Sequence, residues 1–120
     1  MAALLTGCVD LRTEGPLISA RLYLGLTNAA GAVPPAEFNA FLDTVVTPKF
    51  PTGLTVFHTD GQWRGPDNGV VKERSVVLEL IFTDDQTNRE NLFAIIDQYK
   101  QRFRQFSVLL VISHDSINYR

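Results

Sequence analysis

Cys8 is the only cysteine in the 120-residue chain, and it closes the tetrad Leu5-Thr6-Gly7-Cys8. A thiol in that setting can accept a lipid. The tetrad has the form of a bacterial lipobox, in which a small residue fits a narrow signal-peptidase pocket and an apolar residue two places earlier fits the membrane-embedded end of a signal. A lone cysteine excludes an internal disulfide and leaves a cysteine-based zinc or iron–sulfur site unsupported.

The two histidines offer less. His58 has a carboxylate, Asp60, two residues on, so the two can share one strand face. His114 stands alone near the C-terminus. Without a further ligand at metal spacing, the expectation is an edge-strand histidine, a tail histidine, no metal and no cofactor. Asp84 and Asp85 precede a helical pattern whose positive end favours anions, and Lys100, Arg102 and Arg104 sit near its negative end. Neither cluster needs a catalytic explanation. No glycine-rich phosphate loop, nucleophile elbow or HExxH motif is present. In "GQWR" (61–64), Trp63 is expected to pin a long loop to the body, with Arg64 solvated beside it. Read for function, the same stretch supplies a flat ring, an amide and a guanidinium for an anionic or planar ligand. Tyr23, His58, Trp63 and Arg64 are therefore the candidate ligand-binding residues.

The elements that must position these groups follow from periodicity. "LISARLYLGL" (17–26) alternates, with Ile18, Ala20, Leu22, Leu24 and Leu26 on one side, as in a strand with one covered face. "PAEFNAFLDTVVTP" (35–48) carries Phe38, Phe41, Leu42, Val45 and Val46 at helical spacing. Pro35 suits its first turn, and Thr47-Pro48 is expected to end it. "LTVFHTDGQW" (54–63) and "VVLELIF" (76–82) flank the turn-rich "GPDNG" (65–69), giving a hairpin with a rather long tip. Thr87 and Glu90 form the pattern of a capping box for a helix whose apolar face runs through Leu92, Ile95, Ile96, Tyr99 and Phe103. "SVLLVIS" (107–113) is a last strand.

The order strand, helix, strand, strand, helix, strand predicts an α+β, ferredoxin-like βαββαβ sandwich: a four-stranded antiparallel sheet with both helices on one face. Residues 1–16 read as a signal remnant and tether, 17–114 as one domain and 115–120 as a tail. That length can bury one sizeable core. A net charge of −2 gives no footprint for nucleic acid. An RNA-reading sheet would also need aromatic pairs on both central strands. No apolar run approaches the roughly 20 residues of a membrane-spanning helix, so any membrane contact is expected through a lipid at Cys8.

As a set, "RLYLGL" (21–26), "VVTPKFPTGLTV" (45–56), "GQWR" (61–64) and "YKQRFRQFSVL" (99–109) resemble domain-of-unknown-function family 3574, a group of small bacterial proteins. Members often look like exported lipoproteins. The resemblance implies an envelope or periplasmic location with lipidation at Cys8; it brings no reaction and no catalytic residues. A complete export signal also has a basic start and an apolar region of roughly 7–15 residues, which residues 1–7 lack.

Opposite parity places Arg21, Tyr23, Val77, Glu79 and Ile81 on the sheet face away from the helices, joined by Phe57 if the hairpin pairs it with Val77. Leu109 and Val111 come from the last strand. Arg21 and Glu79 are expected to pair across the two central strands. A face this apolar is expected to be covered, by a second copy or else by a loop, the N-terminal segment or the tail. The predicted function is accordingly a non-catalytic, self-associating or ligand-binding envelope module. The alternative is a small enzyme of the dimeric α/β-barrel type, with a pocket between two sheets.

Overall fold

The computed structural model describes residues 15–120. The lipobox at Cys8 lies outside the described residues.

Strand β1 (Leu17–Gly25) pairs antiparallel with β5 (Val70–Thr83) on one side and β6 (Leu109–Ser113) on the other, while β4 (Thr55–Arg64) pairs with β5. The strand order is β4-β5-β1-β6. With the helices described below this is a mixed α+β domain on a four-stranded antiparallel sheet. The alternation read in residues 17–26 sets the layers. Ala20, Leu22, Leu24, Leu78 and Leu80 are fully buried and join one cluster with Phe38, Phe41, Val46, Leu92, Ile95 and Tyr99 from the helices. The odd-numbered residues of β1 and β5 point to the other side.

The first helix runs further than its proline suggests. Helix α1 (Pro35–Phe41) starts after an extended Pro34, continues as a π-helical turn over Leu42–Val46, and ends as α2 (Thr47–Lys49). Thr47-Pro48 therefore does not terminate it. In a regular α turn the Pro48 ring would strike the Thr44 carbonyl, and Pro48 has no N–H to donate. The wider turn, in which the Thr47 N–H bonds the Leu42 carbonyl, absorbs the misfit and keeps Val46 in the core.

The capping box at Thr87 and Glu90 is also replaced. Helix α3 (Gln86–Arg102) is capped two residues earlier by Asp85, whose Oδ1 accepts from the Asn88 N–H at 2.7 Å. Asn88 Nδ2 donates to the Thr83 carbonyl at 2.9 Å, which ties the cap to the end of β5. A carboxylate there satisfies a free N–H and meets the positive helix end together. Glu90 instead accepts from Gln86 Nε2.

The hairpin has no long tip. Its strands pair up to Arg64 opposite Val70, and residues 65–69 form a tight turn. There the Gly65 N–H bonds the Gly69 carbonyl, Asp67 Oδ1 accepts from the Gly69 N–H, and Asn68 adopts φ 66°. The last β1 pair is Gly25 with Ser75. Residues 60–64 and 70–74 thus project past the sheet as a two-stranded arm about 15 Å long. A small ribbon, β2 (Thr27–Asn28) with β3 (Gly31–Ala32), fills the segment read from sequence only as a break, and Asn28 Nδ2 holds it to the Phe103 carbonyl at 2.9 Å.

Candidate functional site

Two places on the domain bring chemistry-bearing side chains together, on opposite sides of the sheet. The first is the sheet face on which no helix packs among the described residues, the helix-free face. Register puts Leu109, Tyr23, Val77 and Phe57 in one row across all four strands. Val77 at the centre is buried, whereas Phe57 is 46% and Leu109 61% exposed. The next row is charged: Arg21 Nε lies 3.0 Å from Glu79 Oε2. The hydrogen bond to Glu79, then the charge of that carboxylate, raise the Arg21 pKa above the ordinary arginine value. Beyond it, Ile81 shares a shallow hollow with Tyr119 of the C-terminal segment. The segment after β6 thus reaches one end of the face, and among the described residues the apolar row stays open.

The second is a cleft of about 470 Å³ on the helix side, between the start of α1, the β2–β3 ribbon and the base of the arm. His58 and Arg74 line it from the sheet and Asn39 from α1, against walls that include Val33, Phe38 and Val76. The buried Tyr99 stands nearby in the core, edge-on to Phe38 and Phe41, with its hydroxyl donating to the Gly25 carbonyl. Burial first, and the Glu73 carboxylate second, push its pKa up.

The four ligand-binding candidates fall in different places. Tyr23 is in the open apolar row. His58 sits opposite the fully buried Val76 and so on the helix side. Trp63 and Arg64 lie on the arm, where Trp63 faces Val71 and is 53% exposed. Six residues separate Phe57 from Trp63 along β4, about 20 Å. Trp63 therefore does not pin a loop to the body; it stands in a strand that projects from it. His58 and Asp60 do share a face, but across from Asp60 is Arg74, which together with Asn39 was missed from sequence. Their convergence depends on hairpin register and helix packing, and leaves no local pattern. All six interface candidates, Arg21, Tyr23, Phe57, Val77, Glu79 and Ile81, are on the helix-free side. Of the terminal cations, Arg102 stacks over Phe41 and Phe103, with ring centroids 5.8 and 5.6 Å away. Among the described residues no three His, Cys, Asp or Glu side chains cluster as metal ligands would.

Solved structures similar to this chain share its fold. A phage SAM lyase in complex with S-methyl-5'-thioadenosine is similar at 20% identity and TM-score 0.65, covering 88% of this chain and 87% of that one. The apo state of a phage SAM lyase gives 21% identity and TM-score 0.60, over 88% and 85% of the two chains. CutA from Synechococcus elongatus, complexed with Bis-Tris, gives 9% and 0.54, over 84% and 81%. At these identities the likeness concerns the fold. No curated protein matches the chain. The profile of one family, described as Protein of unknown function (DUF3574), matches residues 19–119, and the protein belongs to that family.

Proposed function

We propose that this domain is a self-associating module that forms a homodimer through its helix-free sheet face. The observation that carries the reading is the continuous row Leu109–Tyr23–Val77–Phe57, apolar on every strand and open at both ends. Burying such a row against a second copy removes apolar surface from water on both partners, and each residue contributes twice. The arm supports the same reading. A ribbon of two strands is marginal by itself in water, yet this one carries Trp63 on the same side as Phe57 and a Val70 that is 65% exposed. The strand order, read from β6 through β1 and β5 to β4 with both helices packed on one side, favours the ferredoxin-like βαββαβ description. A lipid at Cys8, expected from the lipobox alone, would hold such a module at the cell envelope.

The enzyme alternative draws on the likeness to a phage SAM lyase, a likeness of fold. His58 counts against it, since a histidine on the helix side cannot enter a pocket enclosed between two helix-free faces. Light scattering over a concentration series tests the proposal. The wild-type chain is expected to give a dimer mass, and Phe57→Lys a folded monomer. A wild-type monomer at high concentration overturns it.

A further inference from the structure

The cleft on the helix side belongs to a single chain and is independent of self-association. Its volume, about 470 Å³, is within the range of small-molecule sites, roughly 300–1,000 Å³. Its walls are mostly apolar, and among the described residues no carboxylate lines it and Arg74 is the one fully charged group. Among the described residues Arg74 makes no ion pair, the pairs there being Arg21 with Glu79 and Arg89 with Asp84. Asp60, directly across the ladder from Arg74, is not among the residues that line the cleft. His58 is the diagonal neighbour of Arg74, because it pairs with Val76 two residues along β5. That arrangement puts their Cα atoms about 7–8 Å apart on one face. A guanidinium fork, an imidazole and the Asn39 amide thus share the lining of one mostly apolar cleft.

We propose that this cleft binds a small amphipathic anion, an aromatic or short aliphatic carboxylate. The carboxylate is held by Arg74, with His58 and Asn39 as further donors, while the hydrocarbon part lies against Val33, Phe38 and Val76. A planar fork suits a carboxylate because two parallel N–H bonds can form at once. The apolar walls reject small hydrated anions, which would leave their own hydration shell without replacing it.

Benzoate and octanoate are the probes, with benzyl alcohol and octanol as neutral counterparts, titrated into the isotope-labelled full chain and followed by amide NMR. Saturable shifts at Thr27, Val33, Asn39 and His58 are expected with at least one anion and only weakly with its alcohol. Arg74→Gln, which removes the charge and one arm of the fork, should weaken binding at least about tenfold. Ala32→Phe, which fills the cleft mouth without touching a donor, should abolish binding with the spectrum otherwise dispersed. The Phe57→Lys chain should bind as the wild type does, whatever its oligomeric state, so the two proposals fail separately. Equal binding of anion and alcohol, unchanged affinity in Arg74→Gln, or no saturable shift at the cleft overturns the assignment.

Discussion

Arg21 and Glu79 meet across β1 and β5, Nε 3.0 Å from Oε2, in the middle of the sheet face that carries no helix. The pair lies one row from the apolar line of Tyr23 and Val77, so in the proposed dimer it would stand beside the contact and fix its register. Arg21→Glu sets two carboxylates opposite one another within each chain, where like charges directly across a ladder repel, and should loosen the sheet that presents the face and so weaken assembly. Adding Glu79→Arg should restore it. Sedimentation equilibrium on the two variants checks this, with the urea midpoint of each read alongside; a single variant that loses stability but assembles as the wild type does assigns the pair to the monomer alone.

Ile81 lies at the other end of the same face, next to Tyr119. Ile81→Lys is expected to give a folded monomer with unchanged helical circular dichroism, since the substitution leaves the helix-side core untouched. Light scattering with a far-ultraviolet spectrum reads both outcomes together.

Leu80 is fully buried beneath the helices. Leu80→Asp would place an unpaired charge among apolar side chains, where no partner can offset its desolvation. The expected result is loss of the cooperative urea transition. A transition near the wild-type midpoint would contradict the assigned layers.

Tyr99 donates to the Gly25 carbonyl from inside the core. Tyr99→Phe leaves that acceptor without its partner and should cost about 1–3 kcal/mol in denaturant unfolding. The pH dependence has a definite sign. Folding raises the phenol above its ordinary value of 10.0, so the neutral form is favoured in the native state. Its contribution is fully present below pH 10 and is lost as pH rises through the folded value. The alkaline limb of the stability profile should be flatter in Tyr99→Phe.

Asp84 behaves in the opposite direction. The hydrogen bond from Arg89 lowers its pKa below the ordinary 3.8. The stability it contributes is present above 3.8 and is lost as pH falls through the folded value. Asp84→Asn should remove that part of the acid sensitivity, seen as a shallower fall of urea midpoint from neutral to acid pH.

The two sides of β1 and the middle of β5 are legible in the residue pattern alone. Alternation in residues 17–26 and 76–82 is a direct consequence of one buried face, and it foretold both the Leu22–Leu78 core and the Arg21–Glu79 pair. It was silent on residues 70–75, "VVKERS", because neither side of the arm is buried and no apolar period is imposed there. Local pattern also favoured a stop at Pro48 and a cap at Thr87. Tertiary structure decided otherwise, since Val46 had to reach the core and Asp85, held at the end of β5 through Asn88, was placed first at the free N–H groups of α3. Most of all, His58, Arg74 and Asn39 come from three separate elements. Only hairpin register and the packing of α1 over the sheet bring them to one cleft, since no local spacing rule links residues that far apart along the chain.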